Sequence, residues 1–259
     1  MRDILGERDA SVPDTKTRVA EPSRESQLPK RFYESATVEA VDGSFRPELD
    51  GRPIRTPGRA FVAATQRPIA ERLAQEWGEQ GERIDPMTMP LTRLVNTAID
   101  GVATDMQAVR EDIVRYAGTD LICYRAGEPE GLVTAQNEHW DPMVDWAQST
   151  LGCRFILAEG VMHVTQPPES LAAFGTHVAA ITDPLRLAAL HVVTSLTGSA
   201  TLAMAVAKGE LECDEAWKAA HVDEDWNISQ WGEDAEAKAL RDRRFREMTE
   251  ACFVLEQTR

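Results

Sequence analysis

Positive charge is scarce in this chain: 28 Lys and Arg face 43 Asp and Glu, giving a formal net charge of −15 over 259 residues. A nucleic-acid binder needs a basic footprint to neutralise phosphates, and an anionic membrane surface repels a polyanion, so neither is expected as a partner. Cysteine is sparse as well. Cys123, Cys153, Cys213 and Cys252 lie far apart and form no C-x-x-C pair, which supplies neither a zinc framework nor a compact disulfide framework. Buried free thiols in a reducing compartment are expected. The first residues hold no apolar stretch of a secretory leader, and Asp3, Glu7, Asp9 and Asp14 run against a mitochondrial presequence. A cytoplasmic protein with a polar arm over residues 1–28 follows.

Recognisable catalytic motifs are missing too. There is no G-x-x-x-x-G-K-[ST] phosphate loop, no G-x-G-x-x-G after a strand and no G-x-S-x-G elbow. The histidines His139, His163, His177, His191 and His221 never take an H-E-x-x-H spacing. His191 lies near Thr194 and Ser195 and could form a Ser/His pair, but a satisfied buried imidazole is the simpler reading. Glu233, Asp234 and Glu236 could hold a divalent ion, yet acids stabilising a helix N-terminus explain them with less. No cofactor, no metal site and no enzyme activity are expected.

What the chain does contain is a change of texture. Residues 29–86 alternate β-forming residues with Asp42-Gly43, Asp50-Gly51 and Pro57-Gly58, and Asp-Gly between short alternating runs signals a hairpin. Strands are predicted near 36–41, 44–49, 53–56 and 60–64, capped by a helix from Pro68 that sets Ile69, Leu73 and Trp77 on one stripe. Residues 87–259 read as helical, with Leu91, Leu94, Val95, Ala98, Ile99 and Val102 in a 3, 4, 7 pattern. Thr104 is predicted to cap the next helix, Thr134 to open another, and Pro184–Lys208 to form one long helix. Its stretch Leu187–Ala207 carries no formal charge over twenty-one residues, enough to span a bilayer. Its hydroxyls and small residues make it a buried central helix instead. The fold class is therefore α+β: a small N-terminal antiparallel β domain followed by a mainly α-helical domain.

The most unusual stretch follows that helix. Between Glu210 and Glu236 ten Asp and Glu stand against one Lys, with Trp217, Trp226 and Trp231 among them. Trp217 and Trp226 are expected to face a core. Trp231, followed by Gly232, Glu233 and Asp234, marks a helix end and a new start. An aromatic rim beside dense carboxylates suits a protein-binding surface, since rings supply buried area and charge steers the encounter; the plainer reading is a solvated helix pair.

Four stretches taken together carry a resemblance: RFYESATVEAVDGSFRPELDGRPIRTPGRAFVAAT, LAQEWGEQGERIDPMTMPLTRLVNTAIDG, SLTGSATLAMAVAKGEL and DEDWNISQWGEDAEA, in that order. The chain resembles the assembly chaperone family that binds the alpha subunit of the F-type ATP synthase catalytic head, over about residues 30–255. The resemblance implies a non-enzymatic, monomeric helper that shields a subunit interface of alpha until the beta subunit replaces it. It also implies a bacterial cytoplasmic setting, the mitochondrial matrix being that of eukaryotic relatives. On this resemblance Trp226, Gln230, Trp231, Gly232, Glu233 and Glu236 are the partner-contact candidates, and Trp77, Pro90, Leu91, Thr92 and Asn96 serve folding and domain docking. The rival expectation is a small-molecule enzyme with its pocket between the β and α parts, which requires titratable groups converging there.

Overall fold

The computed structural model describes residues 28–160 and 163–259; the expected arm lies, but for Leu28, outside the described residues. Strands β1 (Ala36–Val41), β2 (Ser44–Leu49) and β3 (Arg52–Pro53) form an antiparallel meander in register Ala36↔Leu49, Val41↔Ser44 and Leu49↔Arg52. Both connections are two-residue Asp-Gly turns with positive φ throughout: Asp42 49° and Gly43 79°, Asp50 48° and Gly51 74°. That is the mirror-image turn whose twist matches the flanking strands. The two later strands shrink to β3 and to the isolated bridges Phe45↔Ala64 and Arg55↔Phe61. Pro53 and Pro57 remove the N–H groups a longer ladder needs.

Helix α1 (Arg67–Gly78) lies across the sheet and buries Ile69, Ala70, Leu73, Ala74 and Glu76. The chain then crosses a 3-10 turn into α2 (Pro90–Asp100), followed by α3 (Met106–Ala117) and α4 (Glu130–Trp146). The cap of α3 is Asp105, whose carboxylate accepts from Ala108 N, and not Thr104, whose hydroxyl instead donates to the Gly101 carbonyl. Thr134 sits inside α4, its Oγ1 donating to the Glu130 carbonyl, because Pro129 already starts the helix one turn earlier. A wide π turn, Ala147–Leu151, ends it, and Gly152 reverses the chain at φ 72°. Tyr124–Arg125 (β4) and Ala158–Glu159 (β5) pair in parallel.

Helices α5 (Pro168–Ala179), α6 (Pro184–Thr197), α7 (Ala200–Lys208), α8 (Cys213–Ala220), α9 (Val222–Trp231) and α10 (Ala235–Gln257) complete the chain. The single long helix read over Pro184–Lys208 is in fact two. Gly198 turns left-handed at φ 68°, and Ser199 Oγ accepts from Leu202 N to start α7 afresh. No helix among the described residues is long and apolar enough to cross a membrane. Helix α6 is the hub, packing on α2, α3, α7 and α10. Its Arg186 guanidinium donates to the carbonyls of Leu255 and Ala207 and to Thr258 Oγ1, tying together the C-terminal ends of α10 and α7. A cation there meets the negative ends of two helices.

Two carboxylates tie the β part to the bundle: Asp100 on α2, which accepts from Thr56 Oγ1 at 2.7 Å and Gly58 N at 2.8 Å, and Glu76. Glu76, on α1, accepts from Leu91 N at 2.7 Å, Thr92 N at 2.7 Å and Thr92 Oγ1 at 2.8 Å. Met89, the residue before α2, offers no side-chain cap and Pro90 has no N–H, so Glu76 caps α2 from another helix. Hydrophobic packing runs without a break from Tyr33 to Leu255.

Candidate partner-binding surface

The acidic stretch folds as a strap across α4 and α10, and the tryptophans fasten it. Trp217 stacks against His221 with centroids 3.9 Å apart and against Phe245 of α10 at 5.2 Å. Trp226 is half-buried with its ring over Gly131, where a Cβ would stand 2.3 Å from the indole. Only a glycine at the start of α4 lets α9 approach so closely. Trp140 Nε1 donates to the Ala219 carbonyl, and Gln136 Nε2 to Asp223 Oδ1 at 2.7 Å.

Much of the negative charge is committed to local structure. Glu212 and Glu215 form a capping box at α8. Asp225 pairs with Arg241 at 2.5 Å, which holds that guanidinium above its ordinary pKa. Asp234 caps α10 by accepting from Glu236 N and Ala237 N. His221 donates toward the Trp217 carbonyl from a site where desolvation presses its pKa down. The helix-start reading of the Glu233–Glu236 acids thus has a specific holder in Asp234.

At the corner between α9 and α10 the side chains turn outward. Gly232 takes φ 87°, a conformation L side chains rarely adopt, and swings the chain from one helix into the next. Gln230, Trp231, Gly232, Glu233 and Glu236 are all exposed, and Trp231 is 80% exposed. Glu233 pairs with Lys238 at 3.4 Å across an exposed surface and adds to the field on Arg241, contacts worth little. An exposed indole beside two lightly engaged carboxylates makes this corner a candidate protein-binding surface. Trp226 stands apart from this group, facing α4.

The other candidates cluster at the sheet–bundle junction. Pro90 opens α2, Leu91 is fully buried, and Thr92 is bound by Glu76. Asn96 keeps a buried Oδ1 without a hydrogen bond among the described residues, and Trp77, half-buried, packs on Tyr33 at 5.7 Å with its carbonyl accepting from Tyr33 OH.

A cavity of about 260 Å³ does lie between sheet and bundle, lined in part by Ala64, Val95, Ala98, Asp183 and Leu185. Asp183 is the one titratable side chain on its wall, and its carboxylate accepts from Leu185 N as the cap of α6. His191 contacts Asp112 Oδ2 at 2.6 Å, while Ser195 Oγ donates to the Val192 carbonyl, so no Ser/His pair forms.

Residues 30–148 match the model of a family described as ATP12 chaperone protein. The crystal structure of the Atu1473 protein from Agrobacterium tumefaciens is 53% identical and superposes with a TM-score of 0.85 over 90% of this chain and 87% of its own. Atp12 from Paracoccus denitrificans is 38% identical, with a TM-score of 0.81 over 89% of this chain and 99% of its own. The chain belongs to the ATP12 chaperone family, the assembly chaperone family its motifs resemble.

Proposed function

We propose that this member of the ATP12 chaperone family holds the free alpha subunit of the F1 sector of ATP synthase in the bacterial cytoplasm. It shields a subunit interface of alpha until the beta subunit replaces it, acting one to one as a monomer. The observation that carries this reading is the corner from Gln230 to Glu236: an 80% exposed Trp231 beside Glu233 and Glu236 in a family of chaperones. An apolar subunit face left bare is an aggregation liability, and an indole with a few carboxylates covers it without the large area that would prevent exchange. Trp231, Gln230, Glu233 and Glu236 make the contact, Gly232 sets the corner, and Trp226 anchors the strap beneath it. Trp77, Pro90, Leu91, Thr92 and Asn96 keep the β part, 29–86, docked on the helical part, 87–259. The role asks for no catalysis.

Size-exclusion chromatography of the protein with refolded alpha subunit tests the proposal, with beta subunit and an unrelated unfolding protein as controls. A discrete complex with alpha alone, dissolved by adding beta, is expected. Absence of a complex with assembly-competent alpha overturns the reading.

A further inference from the structure

The β part carries a second surface of opposite character. Over residues 29–86 nine Lys and Arg meet ten Asp and Glu, so the β part is nearly balanced inside a chain of net charge −15, and one groove on it carries Arg52 and Arg55 against Asp50. The groove, of about 530 Å³, runs between the turn after β2 and the end of α1. One wall is a row of rings: Phe32 stands edge-on to Tyr33 at 5.3 Å, and Tyr33 edge-on to Trp77 at 5.7 Å. Tyr33 and Ile54 are core residues at the groove floor, but Phe32 is 74% exposed. Trp77 Nε1 is buried and has no hydrogen-bond partner among the described residues. The rim bears Arg52 and Arg55, neither in an ion pair among the described residues; Arg55 instead lies 3.8 Å over the Phe61 ring and donates to the Arg59 carbonyl. The one carboxylate lining the groove, Asp50, is engaged by its neighbours. It accepts from Glu34 N, Ser35 N and Ser35 Oγ, and these bonds hold its pKa below the usual carboxylate value.

We infer that this groove docks an extended acidic segment of a partner protein, with an aromatic or aliphatic anchor against Phe32 and Trp77 and carboxylates on Arg52 and Arg55. Two unneutralised guanidinium groups beside an exposed phenyl ring select for that pairing. A nucleic acid could also stack on the rings, but the charge of the whole molecule opposes a polyanion. The surface is distinct from the acidic corner and takes the opposite charge, so it is independent of whether alpha is the client there.

The probe is a fluorescein-labelled heptapeptide, Gly-Glu-Phe-Asp-Leu-Glu-Gly, titrated with the full-length protein and read by anisotropy. Saturable binding is expected, weakened about tenfold or more by Phe32→Ser and, separately, by Arg52→Glu with Arg55→Glu. Added salt weakens it further, and Trp231→Ala leaves it unchanged. The substituted side chains are exposed, and unchanged circular dichroism and melting temperature would verify that the variants fold. Binding that ignores these substitutions, equal affinity for a peptide with Gln and Asn in place of the acids, or no saturation overturns the proposal. Tighter binding of a labelled oligouridylate also overturns it, in favour of nucleic acid. So does peptide binding that appears only when residues 1–27 are deleted, which would assign the groove to the chain's own N-terminal segment.

Discussion

Replacing Glu76 by Ala should loosen the sheet from the bundle more than any surface change, and the structure fixes the size of the effect. The carboxylate satisfies three donors, Leu91 N, Thr92 N and Thr92 Oγ1, at 2.7 to 2.8 Å, and both residues that supply them are buried. Leaving a buried donor without a partner costs about 1–3 kcal/mol. Three such losses sum to more than is realised, because removing a desolvated charge returns part and water can enter the gap. A destabilisation of about 3–5 kcal/mol is expected, or a melting temperature lower by about 10 °C for a chain of this size. Glu76→Gln keeps the shape and one acceptor oxygen, and should cost about 2 kcal/mol. The pH dependence separates charge from shape. Desolvation raises the Glu76 pKa above its ordinary value of 4.5, opposed by the Thr92 and Leu91 hydrogen bonds. A carboxyl with a raised folded pKa binds its proton more tightly in the native state. Its stabilising contribution is therefore complete below about 4.5 and lost as pH rises through the folded value. The gap between wild type and Glu76→Gln should widen as pH falls from neutrality toward about 4.5. Urea unfolding followed by tryptophan fluorescence at several pH values measures both quantities. A loss under about 1 kcal/mol for Glu76→Ala, or a gap that narrows on acidification, would refute the reasoning.

Three further outcomes follow from the same coordinates. Trp231→Ala and Glu233→Lys touch only exposed groups, so each should leave stability within about 0.5 kcal/mol while weakening co-elution with the alpha subunit; a variant that binds normally removes that residue from the contact. Gly131→Ala drives a methyl into the Trp226 ring, where the gap is 2.3 Å, and should destabilise by about 1–3 kcal/mol. Hydrogen exchange should accelerate in α9 first; protection unchanged there would mean that Trp226 does not hold the strap. Arg186→Ala strips the hydrogen bonds at Leu255, Ala207 and Thr258 and should lose about 2–4 kcal/mol. Arg186→Lys should recover little of this, because an ammonium cannot fork to two helix ends; full recovery in thermal melts would contradict the geometry.

Signals that lie within a few residues of each other were legible, and those made by distant segments were not. Asp42-Gly43 and Asp50-Gly51 announce hairpin turns because both positions of each must take positive φ, and β1 and β2 span the residues that reading set. Trp231 followed by Gly232, Glu233 and Asp234 likewise signalled a helix end and a new start, which α9 and α10 bear out with Asp234 as the cap. The break at Gly198 was written there too, as a left-handed glycine followed by a capping serine, but the uncharged run around it offers no change of period to draw the eye. Glu76 is different in kind. On α1 it reads as one more polar residue of a solvated face, and only folding brings the uncapped start of α2, fifteen residues on, against it. The groove beneath Phe32 is the same case: its rings and guanidinium groups come from the segment before β1, from β3 and the residues just after it, and from the end of α1. The acidic corner is written in consecutive residues and is visible to motif reading, whereas the basic aromatic groove is assembled by topology. In a chain of net charge −15, two guanidinium groups without ion pairs among the described residues are visible only once the fold sets them beside Phe32.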